Sequence, residues 1–189
     1  MIRLNLTDTA TPALRAAMEK LSPEGRARLN KAAGARITRT LVDHFRAREK
    51  EPNKRGWAKQ HYWSRIAKAT ALVQADEKQA TVTVADTSIL LKIFGGTVKP
   101  KTAQALAIPM REEAYGKMAS EWPDDTFFRF VSKSGKAFLA KREGNALRLY
   151  YRLVKSVRHK PDPRAIPPIA LLMAEVEAVA VRHLGQGKV

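Results

Sequence analysis

The chain of 189 residues predicts an α+β fold: a mainly antiparallel sheet packed against a long basic N-terminal helix and an apolar C-terminal helix. Three observations carry this expectation. Leu29, Ala33, Ile37, Leu41 and Phe45 recur every four positions, the period of one helix face, and Val42 widens the stripe. Several short apolar or β-branched segments are separated by turn residues, the pattern of hairpins. The final run, Ile169 to Leu184, carries only Glu175, Glu177, Arg182 and His183 as polar side chains, so it reads as a helix buried on more than one side. Packing against the long first helix or against a second subunit would achieve that.

The elements follow in order. Ile2, Leu4 and Leu6 alternate with Arg3 and Asn5, predicting a half-buried strand. A short helix is expected from Pro12 to Leu21, with Thr11 as its N-cap. Ser22-Pro23-Glu24 repeats that start signal and opens the long helix, which should run to about Lys50 and measure about 40 Å. Its other face carries Arg26, Arg28, Lys31, Arg36, Arg39, Arg46 and Arg48. Pro52 and Gly56 make residues 51–63 an aromatic and basic loop, and Ser64 to Thr70 reads as a short helix. Ala71–Ala75 and Ala80–Ala85 predict a hairpin turning at residues 76–79, with Val82 and Val84 facing inward. Leu90, Leu91, Ile93 and Phe94 form a short helix whose Leu90, Ile93 and Phe94 share a face. Ala105 to Ile108 is a buried strand ended by Pro109. Met110 to Ser120 has helical composition, closed by Trp122-Pro123. Phe127–Val131, Lys136–Lys141 and Ala146–Leu153 are three strands, joined by turns at 132–135 and 142–145. Residues 154–168 hold four prolines and four Lys or Arg, an extended arm leading to the last helix. The whole chain, 1–189, reads as one domain with protruding elements.

The formal net charge is +17. From Arg15 to Lys68 there are 15 basic and 5 acidic residues, and from Arg129 to Lys160 there are 10 and 1. Two basic blocks of this kind attract polyanions. Within them, Arg36, Arg39, Arg46, Arg48, Trp57, Lys59, Trp63, Lys155, Arg158 and Lys160 are the candidates for contact with DNA or with an acidic partner. Trp57, Tyr62 and Trp63 among basic residues match the aromatic and cationic interleaving of single-strand binders; the competing reading makes those rings part of the core or of a subunit interface. Cysteine is absent, which excludes disulfides, thiolate metal sites and a Cys nucleophile and suits a reducing compartment. No membrane span or signal peptide is expected.

Residues 88–110 hold the most specific pattern, SILLKIFGGTVKPKTAQALAIPM. Gly95 and Gly96 allow positive φ or a close backbone approach, and Pro100 fixes φ at the next corner. The segment lacks the G-x-x-x-x-G-K-[ST] spacing of a phosphate-binding P-loop. In order, Gly95, Gly96, Thr97, Pro100, Lys101, Ala103, Ala105, Leu106, Ala107, Ile108 and Pro109 resemble the signature of the phage virion morphogenesis family, proteins of tailed phages and prophages that complete the tail or join it to the head. A basic helix, a Trp-containing linker and a proline-led last helix follow the family's order of elements. At the arm this chain has Pro163, Arg164, Ala165 and Ile166 where such families carry a Pro-Arg-Pro-Phe-like motif.

The resemblance implies a structural role in a virion: a ring-like homo-oligomer that meets connector and tail-tube or terminator proteins. It would be made in the bacterial cytoplasm and carried at the head-tail junction or tail. The alternative is a non-enzymatic protein that binds nucleic acid without sequence preference. No catalytic, cofactor or metal residues are expected. The four histidines, His44, His61, His159 and His183, form no H-x-x-x-H pair, and Glu112-Glu113 and Asp124-Asp125 sit at element ends where acids serve as caps.

Overall fold

A computed structural model describes Arg15, residues 17–53 and residues 55–185. The strand expected at Ile2, Leu4 and Leu6, and the start of the helix expected at Pro12, lie outside the described residues. Residues 17–20 are helical. The fold is α+β, and among the described residues every strand pair is antiparallel. Where the sequence suggests one domain, the contacts group the chain into two compact units: one of residues up to Arg48, Trp63–Thr87 and Ile166–Val189, the other of Glu49–Tyr62 and Ser88–Ala165.

The first unit is built on helix α1, Pro23–Lys50. Its entry is capped: the Ser22 Oγ accepts a hydrogen bond from the Gly25 N–H at 3.1 Å, and Pro23 occupies a position where no donor is needed. Ala33 and Phe45 are buried and Leu29, Ile37, Leu41 and Val42 half-buried, so the four-residue stripe does face the interior. The hairpin of β1 (Thr70–Ala75) and β2 (Ala80–Val84) lies on this helix. It comes so close at Gly34 that a Cβ there would stand 2.5 Å from a Leu72 methyl. Asn30 donates to the Asp76 carbonyl at 2.8 Å, fixing the turn to the helix. The Asp76 carboxylate accepts from the Gln79 and Lys78 N–H groups, which hold its pKa below the ordinary value. Helix α2 is Tyr62–Lys68, two residues earlier than expected at both ends, because Thr70 opens β1 with its hydroxyl bonded to the Ile66 carbonyl at 2.9 Å. Helix α3 (Ile89–Phe94) opens the long middle stretch of the second unit, and helix α4 (Ile169–Gly185) ends the first.

The second unit holds a two-stranded ribbon of β3 (Gly96–Val98) and β8 (Val157–His159), and a four-stranded sheet. The sheet has β4 (Leu106–Pro109), β7 (Ala146–Val154), β6 (Ala137–Glu143) and β5 (Phe128–Val131) in that spatial order. Pro109 sits at the end of an edge strand, where a missing donor does no harm. A register shift after Leu139 leaves Tyr150 as an extra residue between the pairs Leu139–Tyr151 and Ala140–Leu149. Successive strand residues normally face opposite ways; this bulge lets Tyr150 and Tyr151 join one cluster with Ala114, packed by Trp122, Phe127 and Leu139.

The helix expected over Met110–Ser120 does not form. Two single 3₁₀ turns, Glu112–Ala114 and Ala119–Glu121, replace it. Gly116 between them takes φ 81°, with the Gln60 side chain against its Cα, and the carbonyls of Ala114 and Lys117 face the buried Tyr151 hydroxyl at 3.4 and 3.1 Å. That hydroxyl also accepts from Trp122 Nε1 at 2.9 Å, and burial raises its pKa. A continuous helix would have spent the same carbonyls on itself. Tyr150 donates to Glu143 at 2.7 Å, which lowers the carboxylate pKa and raises the phenol.

Candidate functional site

The glycine pair closes α3 and starts β3. Gly95 takes φ 68° and Gly96 φ 143°. A Cβ on Gly95 would meet the His159 carbonyl oxygen at 2.7 Å and the Pro161 ring at 2.8 Å, so this position needs both the positive φ and the absent side chain. The close approach joins Gly95 to His159, 64 residues further along the sequence. Gly96, Thr97 and Val98 pair with His159, Arg158 and Val157, so part of the expected extended arm is a strand. Beyond it the arm is tied down by Asp162 N–H to Lys92 O at 2.7 Å, and by Arg164 to both Glu51 carboxylate oxygens at 3.3 Å. Pro100 and Lys101 lie in the loop after β3, while Leu106, Ile108 and Pro109 belong to β4.

Paired ribbon residues point to one face and their neighbours to the other. Val98 and Val157 are half-buried; Thr97 and Arg158 are exposed, as are Lys160, Lys99 and Lys155. Phe94, the last residue of α3, is 73% exposed, and it lines one open groove with Thr97, Arg158 and Lys160. Ile89, not singled out by the apolar pattern, is the buried residue of α3, while Leu90 points outward.

The other predicted contact residues have different surroundings. Arg48, expected on the wet face of α1, is buried and lies 4.9 Å from the Trp63 ring centre; the Trp63 ring stacks on Phe45 at 6.0 Å. Trp57 is half-buried, 5.2 Å from Tyr115 and covered by Arg55 at 4.6 Å. Lys59 donates to the Glu49 and Lys50 carbonyls at 2.6 and 3.0 Å, satisfying two acceptors left over at the end of α1. Arg39 and Arg46 each stand 3.8 Å from Asp43 on exposed turns of the helix. Arg36 is bound to Glu175 at 2.5 Å; that hydrogen bond raises the guanidinium pKa and lowers that of the carboxylate.

That ion pair anchors α4, together with Lys20 Nζ on the Leu184 carbonyl at 2.9 Å. Within one chain α4 is not buried on several sides, as packing on α1 alone would require: none of its residues is buried. Ile169, Met173 and Val181 are 76, 67 and 64% exposed, and Leu171, Val176 and Leu184 are exposed as well. An apolar surface of this extent on a monomer marks an interaction site. Ile169, Met173, Val176 and Ala180 follow one another at spacings of four, three and four, one seam of a helix, and the first three are exposed.

Among the described residues no three of His, Asp or Glu gather in a way that would hold a metal ion, and no helix is long and apolar enough to cross a membrane. No protein-family model, curated protein or solved structure matches the chain. Of the predicted residues, the fold brings Gly95, Gly96 and Thr97 to Arg158 and Lys160. It leaves Arg36, Arg39 and Arg46 on α1 in the other unit. The apolar pattern marks Phe94 only as part of a helix face; its position directly before a glycine pair, where the chain turns sharply outward, is the signal that could set it apart.

Proposed function

We propose that the chain is a structural subunit of a tailed-phage particle, one that assembles with copies of itself and completes the tail or joins it to the head. The observation that carries the assembly reading is α4, a 17-residue helix with no buried residue and an apolar seam turned to solvent. Ala165 to Val181 is also the longest stretch of the chain without Lys or Arg. In a protein of net charge +17, this is where two copies meet without opposing like charges. The tailed-phage role itself rests on the ordered Gly95-to-Pro109 signature. Connector and tail-tube or terminator proteins are the partners this reading implies, with the basic faces turned to their acidic surfaces or to DNA.

The test is the mass of the full chain in solution by light scattering, across concentration and salt. A closed oligomer is expected, and Met173→Glu with Val176→Glu should return it to monomer while the circular dichroism spectrum stays unchanged. A monomer at every concentration overturns the assembly reading. For the particle role, removal of the gene from the phage genome that carries it should leave filled heads and separate tails. Normal yields of complete infectious particles would sink it.

A further inference from the structure

We infer that the exposed face of the β3–β8 ribbon, together with Phe94, is a binding site for single-stranded nucleic acid. Nothing in the assembly reading requires it, and it engages a different unit from α4. The groove has three ingredients in one place: a phenyl ring 73% exposed, two cations, Arg158 on β8 and Lys160 directly after its end, and an exposed hydroxyl, Thr97, paired directly with Arg158. Phe94 has no ring or cation partner among the described residues, and Arg158 and Lys160 make no ion pair among them.

Each ingredient answers to part of a polynucleotide. Arg158 and Lys160 are two residues apart on an extended chain, so about 6.6 Å separates their Cα atoms, comparable with the step between successive phosphates of an extended strand. Lys99 and Lys101, after β3, and Lys155, before β8, are exposed beyond the Val98–Val157 end of the ribbon and add further positive charge there. A solvent-facing aromatic ring offers a stacking surface to any base. In duplex DNA the base faces are already stacked, so the ring favours a single strand. An acidic peptide would use the cations but gains nothing specific from the phenyl ring. The groove is wide, about 670 Å³, and open, which suits a chain passing along it better than an enclosed small anion.

Fluorescence anisotropy of the full-length protein with labelled oligothymidylate, over a range of salt, tests this. Arg158→Ala with Lys160→Ala should reduce the slope of log affinity against log salt by about 1.4, at about 0.7 per lost phosphate contact on a single strand. Arg28→Ala with Lys31→Ala removes the same charge from exposed positions on α1 and should leave the slope nearly unchanged. Phe94→Ala should weaken binding about tenfold with the slope intact, the mark of a lost stacking contact. Thermal melting of each variant controls for folding, and light scattering for assembly. Four results would overturn the proposal: equal slope changes in both double variants; a duplex bound as tightly as the single strand; polyglutamate competing as well as unlabelled oligothymidylate; or Phe94→Ala dissociating the oligomer while leaving oligothymidylate affinity untouched.

Discussion

Residues 51–63 and the β3–β8 ribbon contain the same ingredients, aromatic rings among lysines and arginines, yet the fold uses them in opposite ways. In the first segment the rings and cations are turned on each other and on the backbone. Trp63 contacts both Phe45 and Arg48, Arg55 covers Trp57, and Lys59 closes the carbonyl end of α1. In the ribbon the alternation of a strand divides the residues, valines to the interior and cations to solvent, and Phe94 stands beside the cations. Composition attracts attention equally to both. What separates them is whether the cation's neighbour is part of the protein.

The comparison breaks most visibly at Trp63. Trp63→Ala should cost about 3 kcal/mol of stability, as deletion of a packed aromatic does, read as a lower urea midpoint. Phe94→Ala should change stability by no more than about 0.5 kcal/mol. Equal costs would erase the distinction between the two segments. Next in size is Gly95→Ala, which combines positive φ with the 2.7 Å clash on the His159 carbonyl and should destabilise by about 2 kcal/mol in the same assay. A neutral result would mean that the ribbon is not held by that approach. Smaller still, Arg55→Ala should cost about 0.5–1 kcal/mol through its lost contact with Trp57, whereas Arg158→Ala should cost nothing measurable.

The smallest effect concerns pH. Glu175 has a folded pKa below its ordinary 4.5, caused first by the Arg36 hydrogen bond. Its stabilising contribution is fully present above that ordinary value and is lost as pH falls through the lower folded one. Between pH 5 and 8 the α1–α4 anchor should therefore be constant, and it should weaken only below about pH 4.5. Arg36→Gln should flatten the acid limb of a fluorescence or dichroism titration. An unchanged acid limb would show that the ion pair does not hold α4.

Much of the fold was legible in local patterns. The four-residue stripe and Ser22 cap gave α1 its bounds, Asp76 announced its turn, and Gly144-Asn145 separated β6 from β7, because each signal is satisfied by neighbours a few residues away. The failures share a cause. Met110–Ser120 has helix-forming residues, but its carbonyls face the Tyr151 hydroxyl some 35 residues on, and Gly116 turns the chain out of helical geometry. Arg48 looked like a surface cation until Trp63 folded over against it. For the candidate site, the sequence pointed to Gly95, Gly96, Arg158 and Lys160 separately, in a loop and an arm. It had no means of bringing them together around one ribbon.

By itself, then, the sequence determined the charge and its two blocks, the absence of cysteine chemistry, and the periodic faces of α1 and the hairpins. These are properties of composition, or of interactions within one or two turns of chain. Tertiary structure alone decided which cations serve the protein's own rings and carbonyls, which face solvent, and that the apolar helix α4 has no buried residue within one chain. The physical reason is common to all three. Exposure and pairing depend on what arrives from distant parts of the chain, and periodicity records only which residues share a face, not what that face meets.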